Sequence, residues 1–231
     1  MHDKLLWLNN GIQYMFNNNI VEYDMVAASL SISERYGLLD KKLIDELKLL
    51  PKEKRTRRIG MIQRDNKDFS KQFLKKELEV RKQFIETNNL DEHNVLSLHS
   101  DAVFFSSMKP IITTIDGIEF KHKHSWTSYI RYNGIEMFYN DGSIVYKNVN
   151  IDMLNMHTLG INKYLCVVFN KVENYDTSIL KYLSKFQKQY LQDKLPEYYY
   201  IPFGRNDKYK LYNLELFGYI TNIVLNEMKG W

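Results

Sequence analysis

A chain of 231 residues with 44% hydrophobic and 26% charged side chains has enough apolar surface to build a core, which excludes disorder as its main state. Its single cysteine, Cys166, excludes an internal disulfide and a zinc site of paired cysteines, as expected of a protein in a reducing compartment. The net charge of +4 is unevenly spread: Pro51 to Ile85 carries twelve Lys or Arg against five Asp or Glu, a surplus of seven, and the rest of the chain sums to −3. A local positive field of this kind meets phosphates or an acidic partner.

No run approaches the roughly 18 apolar residues that a membrane span needs, and Met1 to Trp7 lacks the charged and apolar regions of a secretory leader. A cytoplasmic protein with no membrane partner is expected. With 4 Pro, 10 Gly and no repeat or low-complexity linker, the chain reads as one body rather than tethered modules. In chain order, the spacing predicts a helix over about Asp3 to Phe16, closed by Asn17, Asn18 and Asn19. Ile20-Val21-Glu22-Tyr23 reads as a strand with Asp24 at its end, and a helix starts at Ala27 and Ala28 and runs toward Tyr36 and Gly37. Lys41 to Leu50 is amphipathic and stops at Pro51. The basic segment, 51–86, carries a long helix from about Asn66 to Glu86. Phe69, Phe73, Val80 and Phe84 share one face of it, and Lys67, Lys71, Lys75 and Lys82 another. Two apolar runs flanking His99 and Ser100, between Val95 and Phe105, predict a tight hairpin with Asp101 at its tip.

Asp116-Gly117, Asn133-Gly134 and Asp141-Gly142 then divide a meander over 111–148 into hairpins, because both residues of such dipeptides tolerate positive φ. Helical spacing returns over about Asp152 to Phe169, Thr177 to Leu191 and Leu214 to Lys229, with a Tyr-rich link at Tyr198 to Tyr200. The fold class is α+β, helices around a mostly antiparallel sheet. The expected division is a core over 1–150 and a helical part over 151–231 packed on the same body.

Strand-end acid, basic helix and hairpin acid follow in that order, with Asp24 and Asp101 separated by 77 residues. Val21 to Ile32 resembles motif A, and Leu98 to Phe105 resembles motif C, of the palm of template-directed nucleic-acid polymerases; the resemblance covers roughly Asn19 to Phe105. It implies that Asp24 and Asp101 bind two magnesium ions, with the backbone carbonyl of Met25 as a further ligand. It also implies that cationic residues of an intervening fingers helix hold an incoming nucleoside triphosphate. Motif C is intermediate between two families. Against the A-family pattern the usual aspartate falls on Ser100 and the glutamate on Asp101; against the B-family pattern the first aspartate falls on His99 and the second on Asp101. One motif C carboxylate remains in either alignment, and the A-family fingers spacing of Arg, Lys, aromatic and Tyr-Gly is absent between Arg55 and Phe84.

In-line phosphoryl transfer uses two divalent ions about 3.5–4 Å apart, held by carboxylates from separate elements. Magnesium shares its sphere with waters and substrate phosphates, so few protein ligands suffice. Glu22 shares the strand face of Asp24 and is an auxiliary candidate. Arg57, Arg58, Arg64, Lys67 and Lys71, near the start of the basic helix, are the candidates for phosphate. The plainer alternatives are that Asp24 caps the following helix, that Asp101 is an exposed turn residue, and that the basic helix is a solvated face balanced by Asp65, Glu77 and Glu79. His122 and His124 read as surface imidazoles. Trp126, Tyr129 and Tyr132 read as packing against Phe138 and Tyr139, with base stacking as the alternative. Tyr198 to Tyr200, Tyr209 and Tyr212 mark a candidate surface for a protein partner.

The expected function is metal-dependent nucleotidyl transfer of the palm type on nucleic acid. The alternatives are a non-catalytic nucleic-acid or host-protein binding module with a degenerate palm, and a metal-dependent nuclease using the same acids. The Asn, Lys, Ile and Tyr bias suits an AT-rich genome, and a small stand-alone palm suits a phage or mobile element working in the host cytoplasm.

Overall fold

The computed structural model of the chain describes residues 4–149, 159–201 and 213–231. Among these residues are ten strands in two antiparallel sheets and seven α-helices, the α+β class expected. The N-terminal segment corrects the sequence reading. Leu5-Leu6-Trp7-Leu8 is a short apolar run that suits either element, and long-range pairing decides. Strand β1 (Leu6–Leu8) lies antiparallel to β4 (Val95–His99) with Trp7 opposite Leu98, so two short strands, β1 and β2 (Tyr14–Met15), replace the helix expected over Asp3 to Phe16. Just past β1 the Asn9 side chain donates to the carbonyls of Glu92 and Val95, at 2.6 and 2.8 Å.

Strand β3 (Ile20–Met25) is followed by α1 (Ala28–Arg35) and α2 (Lys41–Lys48), the latter capped by Asp40, whose side chain accepts from the Leu43 amide at 3.0 Å. The basic segment forms two helices where the spacing predicts one: α3 (Lys52–Asp65) begins directly after Pro51, and α4 (Lys67–Thr87) begins after Asn66, whose side chain accepts from the Phe69 amide. Pro51 ends α2 because it cannot donate within it, yet it opens α3 at no such cost, since the first amides of a helix have no intrahelical partner. Along α4 the two faces are as expected: Phe69, Phe73, Val80 and Phe84 are buried, and Lys67, Lys71, Lys75 and Lys82 exposed.

Strand β4 turns through Ser100 and Asp101 into β5 (Ala102–Ser106). The remaining strands are β6 (Thr114–Ile115), β7 (Ile118–Trp126), β8 (Ser128–Tyr132), β9 (Ile135–Asn140) and β10 (Ser143–Lys147). The three expected hairpin turns are present, with φ positive at both residues of Asp116-Gly117, Asn133-Gly134 and Asp141-Gly142. The strands form a six-stranded sheet in the order β1-β4-β5-β3-β7-β6 and a four-stranded sheet in the order β10-β9-β8-β2.

The chain divides into two units, Met1–Gly11 with Val21–His124, and Ile12–Ile20 with Ser125–Trp231. The division falls inside the meander and not at residue 150. In the first unit α4 lays Phe73, Val80 and Phe84 on a sheet face made of Val21, Leu98, Val103, Phe105 and Phe120. The Phe84 ring stacks on Phe120 at 4.2 Å between centroids. Each such side chain contributes about 1.5–3 kcal/mol by leaving water. A smaller cluster of Leu30, Ile44, Leu47, Ile59 and Phe69 ties α1, α2, α3 and α4 to one another. The second unit packs α5 (Leu159–Glu173), α6 (Ile179–Leu191) and α7 (Asn213–Glu227) on the four-stranded sheet, with Ile130, Ile135, Met137 and Tyr139 buried among Ile161, Tyr164, Phe169 and Phe217. The helix expected from Asp152 is described from Leu159, and 150–158 lie outside the described residues.

Candidate functional site

Asp24 and Asp101, far apart in sequence, meet in the first unit. Strand β3 ends between β5 and β7: the Met25 amide donates to the Asp101 carbonyl at 3.2 Å, and the Val26 amide to the Glu119 carbonyl at 2.8 Å. Two left-handed residues flank the acids, Ala27 at φ 49° after Asp24 and Ser100 at φ 50° before Asp101. Side chains with a Cβ take that conformation at a cost that the surrounding structure must impose, and such residues gather at functional sites. The helix that follows Asp24 has Ala27 at its cap position and no side-chain cap, so Asp24 is not held there as a capping residue. Its carboxylate, 13% exposed, pairs instead with the Lys123 ammonium from β7.

Burial first, and then the charge of Asp24, push the Asp101 carboxyl up to about 6. Burial acts to lower the pKa of Lys123, but its hydrogen bond and charge interaction with Asp24, with Glu22 and Asp101 behind, outweigh this and raise it. A second layer lies under Asp101. Glu77 of α4 is pushed up to about 7 by burial and then by Asp101, against the opposing charge of Arg81. Arg81 is fully buried, its own pKa lowered by that burial. It donates to the carbonyls of Ser100 at 2.6 Å, Leu5 at 3.2 Å and Lys4, and so fixes the turn that presents Asp101.

A cleft of about 560 Å³ opens in front of the pair. Asp24, Met25 and Asp101 line it, facing Lys52 and Arg55 of α3 and Lys121, His122, Lys123 and His124 of β7. The basic residues singled out from the sequence are elsewhere. Arg58 pairs with Glu46 at 3.4 Å, Arg64 with Asp65 at 2.9 Å, and Arg57, Lys67 and Lys71 are exposed, none of the five lining the cleft. Helical phase explains the exchange: Lys52, Arg55, Thr56 and Ile59 share one stripe, and Ile59, the buried residue of α3, turns that stripe inward. That signal is present in the sequence once 52–65 is treated as a helix. Lys123 carried no such mark, since its role depends on a strand pairing far from Asp24 in sequence.

Among the described residues no group of three or more His, Cys, Asp or Glu stands together as a metal cluster. The groups at the cleft that could hold a divalent ion are the carboxylates of Asp24 and Asp101, with Met25, whose carbonyl the resemblance adds, lining the same cleft. Hard carboxylate oxygens are of the kind that magnesium takes. Trp126 and Tyr129 pack on Phe138, at 4.6 and 4.9 Å between ring centroids, as the plainer reading expected. In the Tyr-rich link, Tyr199 packs on Phe186 and Tyr200 on Tyr190, while Tyr209 and Tyr212 lie outside the described residues. Among the described residues no helix is long and apolar enough to cross a membrane.

No curated protein matches the chain. Over residues 1–230 it matches the Bacteriophage PBS1 gene 130 protein family, and it belongs to that family.

Proposed function

We propose that the first unit is a palm-like site for metal-dependent nucleotidyl transfer on nucleic acid, with Asp24 and Asp101 as the metal-holding carboxylates. The observation that carries this reading is the convergence of those two acids, from β3 and from the adjoining β4–β5 turn, on one cleft walled by Lys52, Arg55, Lys121 and Lys123. A divalent ion bound there supplies charge neutralisation and stabilises the attacking and leaving oxygens of an in-line displacement. The chain's own residues do the rest. Arg81 holds the turn, Asp101 releases its proton above about pH 6, and Lys52 and Arg55 meet the phosphates of a nucleoside triphosphate. Arg57, Lys67 and Lys71, outside the cleft, would meet the backbone of a strand leaving it.

One observation favours a second reading. The Lys123 ammonium already neutralises Asp24, as in a binding module that uses a lysine where a catalyst uses a metal. Incubation with a labelled primer–template, with and without magnesium and nucleotides, decides. Magnesium-dependent extension that Asp24→Asn and Asp101→Asn abolish supports the polymerase-like reading. Shortening assigns a nuclease, and binding that persists in a chelator without either reaction assigns the binding module.

A further inference from the structure

A second hollow, of about 380 Å³, opens beside the cleft in the same unit and shares Ala28, Ser29 and Asp101 with it. Its chemistry is the opposite. Where the cleft is walled by cations, the charged side chains lining the hollow are Glu77 and Asp101. The rest of its wall is apolar, with Phe73 and Leu74, or neutral and polar, with Gln63 and Ser70. Glu77 is 7% exposed, and its carboxyl lines the hollow with the charge of Arg81 near it. Arg81, whose charge opposes that of Glu77, donates to the carbonyls of Lys4, Leu5 and Ser100. Burial takes from a carboxyl part of its water, and a ligand that brings donors offsets that cost.

We propose that the hollow takes a guanine base, with Glu77, ionised in the complex because the two donors favour its charged form, accepting from the N1–H and the 2-amino group, and that the phosphates of the same nucleotide lie in the adjoining cationic cleft. Among the common bases guanine alone presents two adjacent N–H donors on its pairing edge; adenine and cytosine set a donor beside an acceptor. A carboxylate has two acceptor oxygens side by side and matches the guanine edge in one plane. Phe73 and Leu74 supply the apolar flanks that a flat ring needs, and the volume is that of a small-molecule site. The shared Ala28, Ser29 and Asp101 join an anion-seeking cleft to a donor-seeking hollow, which is the polarity of a guanine nucleotide from phosphate to base. The proposal rests on the phosphate-binding part of the function above and not on catalysis. The same chemistry comes from a free nucleotide or from the terminal guanosine of a strand.

Calorimetric titration of the full chain with GMP, AMP and IMP tests it without any variant. GMP is expected to bind about tenfold tighter than either competitor, because each lost hydrogen bond to a charged group is worth about that factor and IMP lacks the 2-amino group. Glu77→Gln keeps the shape, sets a donor beside an acceptor, and is expected to remove the preference. Equal affinity for the three nucleotides overturns the proposal, and so does a preference that Glu77→Gln leaves intact. A hexanucleotide ending in guanosine, run beside one ending in adenosine, separates the sources: a guanine preference in either arm supports the proposal, and the tighter arm names the source. Asp24→Asn keeps this failure distinct from failure of the catalytic reading, since it removes magnesium-dependent activity and leaves the guanine preference in place.

Discussion

The two units treat buried charge differently. In the second unit every named carboxylate near the core is answered by donors. Glu136 stands opposite Arg131 in the β8–β9 register and accepts from the Tyr129 hydroxyl at 3.1 Å, and Glu173 accepts from Thr127 and Ser128 at 2.6 and 2.5 Å. Around them the rings interlock, Tyr139 on Phe169 at 4.7 Å and Tyr164 on Phe186 and Phe217 at 4.6 Å each. In the first unit the half-buried Asp101 and the buried Glu77 have their carboxyl pKa values raised, Asp101 beside an open cleft. Carboxyls with raised pKa values next to a cavity are candidates for a functional site, which is the basis of the proposal above.

The largest effects expected from this contrast are on activity. Asp24→Asn and Asp101→Asn each abolish magnesium-dependent turnover in a primer-extension assay, while the circular dichroism and melting curve of the fold stay intact. Retained turnover in either variant would remove the two acids from the chemistry. Next in size is a stability effect in the second unit: Phe169→Ala, which strips a fully buried ring from both Tyr139 and Phe16, costs about 3–5 kcal/mol in urea denaturation. A cost below about 1 kcal/mol would contradict the packing described. Arg81→Met leaves three carbonyls around the Asp101 turn without a donor and Glu77 without a counter-charge, and costs about 3 kcal/mol. The same variant weakens magnesium binding, measured by calorimetry, because the turn is no longer held.

Titration gives a smaller and signed effect. Asp101 and Glu77 keep protons in the folded state up to about pH 6 and 7, which the unfolded chain releases near pH 4. Their contribution is therefore complete below about pH 4 and is lost as the pH rises through 6 and 7, so the urea midpoint falls between pH 5 and pH 7.5. A midpoint that rises across that interval would contradict the raised positions. Replacing both residues by their amides flattens the fall. The smallest effect is expected at the exposed pairs: Arg58→Ala and Arg64→Ala change stability by less than about 0.5 kcal/mol. Lys52→Ala and Arg55→Ala instead lower nucleic-acid affinity, and each reduces the salt slope of binding by about one.

The family supports the phage origin expected, as the alternative to a mobile element, from a small stand-alone palm. Several elements were legible because their signals are local. Gly in three Asx-Gly pairs sets the hairpins of the meander, and the spacing of Phe69, Phe73, Val80 and Phe84 sets the buried face of α4. The first fifteen residues were not legible, because Leu6-Trp7-Leu8 becomes a strand through a partner some ninety residues away. The phosphate candidates went to Arg57, Arg58 and Arg64 rather than Lys52 and Arg55 because Pro51 was read as the end of a helix and not also as the start of the next. Glu77 entered the sequence reading as one of the acids balancing a solvated face. Its burial depends on the sheet that α4 covers, which its neighbours in sequence do not specify.

Taken alone, the order of residues determined the fold class, the basic segment, the hairpins and the two acids worth watching, since each of these depends on periodicity, turn chemistry or charge within a short window. Tertiary structure alone decided that Asp24 and Asp101 share a cleft, that Lys123 answers Asp24, and that Arg81 and Glu77 lie beneath them. Those contacts are made by strand neighbours and by a helix laid across a sheet. Their energy comes from desolvation and from charge at a few ångströms, quantities that distance along the chain does not encode.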